Sequence, residues 1–335
     1  MTLDLPLIWA GLIAVAIIAY VILDGFDLGV GMLFPLFKRE DERDTLMNSV
    51  APVWDGNETW LILGGGGLLA AFPLAYSIVL PALYAPLTLM LLGLIFRGVA
   101  FEFRWRTARW KGVWDYAFAI GSVVAAFTQG IALGGLIQGI KVVDRAYAGG
   151  WWDWLSPFSL ATGFALAAGY CLLGACWLII KTDGEIQARC YGYARRLAIV
   201  LVGMIGIVSL WTPFLDAKFL ARWFTWPNIA LTAPMPLLVL AAAWALWRGL
   251  RDKTREKQPF LAALALFVLS YIGLGISFWP LMVPPSITIW DAAAPDISLG
   301  FLLVGALVLL PIILAYTGYA YWVFRGKVDK HAGYH

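Results

Sequence analysis

The stretch LPLIWAGLIAVAIIAYVILDGFDLGVGMLFPLF, Leu5 to Phe37, is uncharged except for Asp24 and Asp27, and its reading decides the fold. As a helix it would reach roughly 50 Å, more than the roughly 30 Å of a bilayer's hydrocarbon core. Counted back from Lys38, Asp24 lies roughly 21 Å along such a helix, inside the hydrocarbon for almost any choice of boundary. An aspartate at that depth costs on the order of 3 kcal/mol by insertion scales. Two of them, three residues apart on one helical face, would repel if both were ionised and so require a partner or a purpose.

Composition sets the class. The 335 residues are 61% hydrophobic and 13% charged, with a mean hydropathy of +0.80, which excludes a soluble domain of this length. We read an all-α integral membrane protein forming a single transmembrane domain over 1–335. Apolar runs of about 20 residues predict about nine transmembrane helices, near 5–34, 54–72, 74–96, 114–140, 158–180, 197–215, 229–247, 259–283 and 297–324. Lysines and arginines follow every second helix: Lys38, Arg39 and Arg43; Arg97, Arg104, Arg106, Arg109 and Lys111; Lys181, Arg189, Arg195 and Arg196; Arg248, Arg251, Lys253, Arg255 and Lys257; Arg325, Lys327 and Lys330. Of the 24 basic residues only Lys141, Arg145, Lys218 and Arg222 fall in the opposite loops. The asymmetry predicts a periplasmic N-terminus and a cytoplasmic C-terminus. The first helix is too long for a signal peptide and lacks a small-residue cleavage site, so it is expected to be retained.

Several features carry no chemistry of their own. Cys171, Cys176 and Cys190 have neither a disulfide nor a metal-binding pattern and read as packing residues. Trp151, Trp152, Trp154, Trp223 and Trp226 fit an interfacial belt. Pro81, Pro86 and Pro311 and the run Gly64 to Gly67 break or thin helices at depth, where glycines allow a backbone or a flat cofactor to approach closely and tight helix packing is the commoner cause. No nucleotide loop, zinc spacing or nucleophile triad is present, and nothing points to nucleic acid; membrane lipid is the surrounding partner.

A second pair of acids opens the second predicted helix, in Val53-Trp54-Asp55-Gly56-Asn57-Glu58-Thr59-Trp60. A short connection makes helices one and two antiparallel neighbours, so Asp55, Glu58, Asp24 and Asp27 form a file of carboxylates leading inward from the cytoplasm. Such a file suits proton movement. The alternative is that these acids pair with the basic segment after helix three, which holds Arg97 and Arg104, and only fix helix packing. The only histidines, His331 and His335, lie in the C-terminal tail, so no intramembrane histidine is available as a haem axial ligand. The scattered methionines read as core residues.

Four stretches carry a specific resemblance: Asp24 to Met32 (DGFDLGVGM), Asn48 to Leu61 (NSVAPVWDGNETWL), Phe96 to Arg104 (FRGVAFEFR) and Pro280 to Ala292 (PLMVPPSITIWDA). Together they resemble subunit II of the cytochrome bd family of quinol oxidases along the whole chain, and the length is similar to that of the branch called cyanide-insensitive oxidases. The resemblance implies a bacterial cytoplasmic (inner) membrane complex in which a partner, subunit I, carries b-type and d-type haems, oxidises quinol and reduces oxygen to water. A small single-helix accessory subunit is a further partner. This chain would ligate no haem, stabilise subunit I and help bring protons from the cytoplasm. By the motif match Asp55 becomes the point of proton uptake, with Trp54, Asp24 and Asp27 beside it. Some family members hold a structural ubiquinone in this subunit, and Trp54, Trp60, Gly64, Gly65, Gly66 and Gly67 are the expected walls of such a site. The competing classes are a proton-coupled secondary transporter, expected to show matched broken helices in two halves, and a passive assembly scaffold.

Overall fold

Asp4 starts the first helix, its Oδ1 accepting the Leu7 amide at 3.1 Å, and Pro6 sits in the first turn where its missing N–H costs nothing. The resulting helix, α1, spans Leu5–Leu33 and ends in a short 3₁₀ turn, Phe34–Leu36, that contains Pro35. The computed structural model describes residues 3–107 and 109–328, so Lys330, His331 and His335 lie outside the described residues.

After α1 come a short polar helix α2 (Glu40–Val50), α3 (Trp54–Ala71), α4 (Pro73–Ala82), α5 (Tyr84–Arg106) and α6 (Lys111–Gln138). A two-stranded hairpin, β1 (Val142–Val143) and β2 (Ala146–Tyr147), leads to α7 (Pro157–Lys181) and α8 (Gly184–Trp211). Two short helices, α9 (Ala217–Phe224) and α10 (Asn228–Thr232), precede α11 (Pro234–Arg251) and α12 (Lys257–Phe278). A second hairpin, β3 (Leu281–Val283) with β4 (Ile287–Thr288), joins through α13 (Ile289–Ala292) to α14 (Asp296–Val323). Among the described residues eight helical stretches are long and apolar enough to cross a membrane. The 18-residue α3 is a ninth candidate, held below that threshold of apolarity by its polar opening and its glycines. The fold is therefore an all-α membrane protein with eight to nine candidate spans.

Three expected boundaries are corrected. The helix predicted over 74–96 is two helices: the chain leaves helical geometry at Leu83 (φ −113°, ψ 22°) and restarts as α5. Pro86 explains the break, because it has no amide to give the Ala82 carbonyl and its ring crowds that residue. As a consequence α5 continues well beyond Phe96, so Arg97 and Arg104, read as loop residues, are helical and buried. In the same way α8 begins before Arg189, Arg195 and Arg196 and absorbs them. The predicted helix over 259–283 stops at Phe278, where the second hairpin takes over.

At the centre of the bundle, α1 packs on α3, α6 and α7. The α1–α7 crossing depends on two glycines: a Cβ on Gly29 would collide with the Tyr170 carbonyl, and one on Gly174 with the Gly29 backbone. Lipid offers no hydrophobic drive between helices, so such close backbone approach supplies the van der Waals contact that holds them. Around it Phe26 stacks on Trp177 at 4.3 Å, and Leu28, Val30, Phe34, Leu173 and Leu178 complete a buried core.

Candidate functional site

Asp24 and Asp27 both have 0% exposure on α1. Facing them from α5 is Arg97, also fully buried, whose Nη1 donates to Asp24 Oδ1 at 2.7 Å and to Glu58 Oε1 at 2.9 Å. Its Nη2 lies 3.7 Å from Asp27 Oδ2. Asp27 is held from α3 by Asn57 Nδ2 at 2.7 Å, which also reaches the Leu23 carbonyl at 3.2 Å. The Tyr321 hydroxyl of α14 donates to Asn57 Oδ1 at 2.9 Å. Four helices thus meet on one polar cluster inside an apolar bundle.

Local packing fixes the two donor helices. Trp54 stacks on Phe101 at 4.7 Å, nearly parallel, which lays the first turn of α3 on α5. Gly98 lies against that ring, where even a Cβ would only reach ordinary van der Waals contact, 3.4 Å from Trp54. One turn further the Arg97 guanidinium lies 5.8 Å from the centre of the Phe101 ring.

The sequence-derived candidates separate into three groups. Asp24, Asp27 and Glu58 come together around Arg97, one of the two arginines expected as a partner for them. Asp55 stays exposed on the first turn of α3. Exposure therefore falls from Asp55, through the 23% of the Glu58 side chain, to zero at Asp24 and Asp27. The third group does not converge. Trp54 faces α5, whereas Trp60 is buried against Ala16 and Tyr20 of α1. Gly64 and Gly67 rest on Ile17 and Ile13, while Gly65 and Gly66 have no atom within 4 Å of where a Cβ would stand. These six residues therefore face different neighbours within the chain.

Charge balance distinguishes this cluster from a second one. Arg104 Nε donates to Asp115 at 2.6 Å and its Nη1 to Asp44 at 2.6 Å, Arg43 donates to Asp115 at 2.8 Å, and Lys111 pairs with Glu40. That network joins α2, α5 and α6 with one cation for each acid, as a structural clamp would. Around Arg97 three carboxylates share one guanidinium. Full ionisation would leave two negative charges uncompensated there, at high cost.

Sequence reasoning did not single out Asn57 or Tyr321 as members of the cluster. Asn57 could have been found, being the polar residue between Asp55 and Glu58 in the motif. Tyr321 gave no signal, because it is an ordinary aromatic residue of the last helix, 264 positions from the group it bonds.

With this geometry in place, the class is clear from comparison. Residues 5–324 match the family described as cytochrome bd terminal oxidase subunit II, and the chain belongs to that family. It is 32% identical over an alignment 363 positions long to the cytochrome bd-I ubiquinol oxidase subunit 2 of Escherichia coli strain K12, covering 97% of this chain and 96% of that one. It is 30% identical over 332 residues to the cytochrome bd ubiquinol oxidase subunit 2 of Bacillus subtilis strain 168, covering 96% of each. Among solved structures, the bd oxidase of Geobacillus thermodenitrificans shares the fold with a TM-score of 0.76 at 18% identity, over 96% of this chain and 99% of that one. The protein is thus a multi-pass membrane subunit of a bacterial bd-type oxidase, an oxidoreductase complex, and membership implies a subunit I partner. This decides against the secondary transporter.

Proposed function

We propose that this chain is the subunit of a ubiquinol:oxygen oxidoreductase that takes protons from the cytoplasm and delivers them towards the partner subunit. The observation that carries the reading is the single Arg97 guanidinium serving three carboxylates, with exposure falling stepwise from Asp55 to Glu58 to Asp24 and Asp27. Asp55 collects protons at the exposed end. Glu58, partly exposed and bonded to Arg97, hands them to Asp24. Arg97 holds the cluster together while leaving it short of positive charge, so protons can be bound and released without burying or stranding a full charge. The haems, carried by the partner, supply electron transfer to oxygen; a small accessory subunit completes the assembly.

The orientation we assign, N-terminus periplasmic and C-terminus cytoplasmic in one transmembrane domain, is supported by contacts that gather the basic helix ends on one side. Lys181 donates to the Phe324 carbonyl at 2.5 Å, Lys327 to the Thr182 carbonyl at 2.7 Å, and Arg189 to Glu42 at 2.8 Å. The ends of α7 and α14 and the starts of α2 and α8 therefore share one face, the one favoured for the cytoplasm by its positive charge.

The test is the Asp55→Asn and Glu58→Gln pair in the assembled oxidase. Oxygen consumption should fall while haem absorption and subunit content stay unchanged. Full turnover in both variants would remove the proton role and leave the cluster as scaffold.

A further inference from the structure

Away from the acid cluster, α11 carries a pattern that neither the proton route nor the bundle core uses. Leu237, Leu240, Trp244, Trp247, Arg248 and Arg251 recur at helical spacing, apolar first and basic last. Leu237, Leu240 and Trp244 are exposed large apolar residues, making a track of roughly 16 Å that runs along the helix to Arg248. At its end the Arg248 guanidinium lies 5.4 Å from the Trp244 ring centre, and that of Arg251 lies 5.2 Å from the Trp247 ring centre. Neither arginine has a carboxylate within ion-pair distance among the described residues, in contrast to Arg43, Arg97, Arg104 and Arg189.

Two concavities adjoin these rings. One, of about 340 Å³, is lined by Trp244, Trp247, Arg248, Arg251 and Asp252. The other, of about 290 Å³, shares Trp247 and Arg251 with it and is completed by Leu250 and by Arg195 of α8. Arg195 is fixed there, its Nη2 and Nε donating to the Leu250 carbonyl at 3.0 and 3.2 Å. The one acid in the lining, Asp252, is occupied by Arg255 at 3.2 Å and by Thr254. What remains is an excess of guanidinium groups, rigidified by stacking, at the membrane-surface end of an apolar track.

We propose that this end of α11 binds the phosphate of an anionic phospholipid, with Arg248, Arg251 and Arg195 around the headgroup and one acyl chain lying along Leu237, Leu240 and Trp244. Arginine forks suit phosphate oxygens, and indole rings sit at the depth where headgroup meets chain. Attraction of an anionic leaflet to basic residues supplies the approach, and the preformed stacked guanidiniums supply the selectivity. The site is independent of the proton route and would survive its failure.

The purified oxidase complex, stripped of lipid and titrated with dioleoylphosphatidylglycerol, tests this by native mass spectrometry. Arg248→Gln with Arg251→Gln should weaken retention of one lipid roughly thirtyfold, while Arg325→Gln, which removes a single guanidinium stacked on Trp322, should leave it unchanged. Equal retention in the double variant, or an equal loss in Arg325→Gln, would overturn the proposal. Displacement of the lipid by inorganic phosphate at matching concentration would show a free-anion site and overturn the lipid assignment. Should the double variant not assemble, a photoactivatable phosphatidylglycerol on the wild-type complex decides: adducts within 237–251 support the site, and their absence there refutes it.

Discussion

Arg97 Nη1 stands 2.7 Å from Asp24 Oδ1 in the interior of the bundle, with neither side chain exposed. The contact joins α1 to α5 across 73 positions of sequence, and it converts two costly membrane aspartates into members of a shared site. Its consequences can be measured.

Arg97→Gln strands Asp24, Asp27 and Glu58 without a cation. Removing one partner of a buried pair costs about 3–5 kcal/mol, so the yield of assembled complex and its thermal midpoint should both fall. Adding Asp24→Asn to Arg97→Gln should recover part of the stability, because removing both charges is far milder than removing one. Turnover should not recover with it. Restored oxygen consumption in the double variant would show that the pair serves packing alone.

Asn57→Ala removes the donor to Asp27 and the acceptor of Tyr321 together. Leaving buried polar groups unpaired costs about 1–3 kcal/mol each, so this variant should lower the thermal midpoint more than Tyr321→Phe, which deletes one hydrogen bond worth about 0.5–1.5 kcal/mol. The reverse order in calorimetry would contradict the hydrogen-bond chain described above.

Gly29→Ala places a methyl group against the Tyr170 carbonyl, which is backbone and cannot swing aside. Separation of α1 from α7 should follow and with it loss of assembly, visible as absent haem absorption in membranes. Gly65→Ala, at a position with open space around it, should assemble normally.

The polar helix α2 offers a pH test outside the membrane. The hydrogen bond from Lys111 and its positive charge hold the Glu40 carboxyl below the ordinary glutamate range. A folded value below the unfolded one gives stability that is fully present above the unfolded value, about 4.3, and is lost as pH falls through the folded value. Thermal stability of the complex should therefore drop more steeply below about pH 4.3 in wild type than in Glu40→Gln. Parallel curves would mean that the pair contributes nothing, as exposed ion pairs often do.

Much of this architecture was legible in the chain. Apolar run length gave the class, since only satisfied backbone can cross hydrocarbon and a helix does so within one segment. Counting rise per residue set Asp24 and Asp27 well inside a long helix, where both are buried, and the Trp54 to Trp60 motif contains Glu58. Helix ends were the weak part. Pro86 divided an expected span, and α5 then carried Arg97 into the interior, because a basic residue in a sequence looks like a loop marker until its partners are known.

By itself the sequence determined that this is a many-helix membrane protein with acids at depth and the motifs of a bd-oxidase subunit II. Tertiary structure decided which groups meet: Arg97 gathers Asp24, Asp27 and Glu58, Asn57 and Tyr321 extend the cluster from Asp27, and Asp55 remains outside. The physical reason is that a buried charge is settled by whichever neighbour reaches it, and helices from opposite ends of the chain provide those neighbours only once the glycine-lined crossings have brought their backbones together.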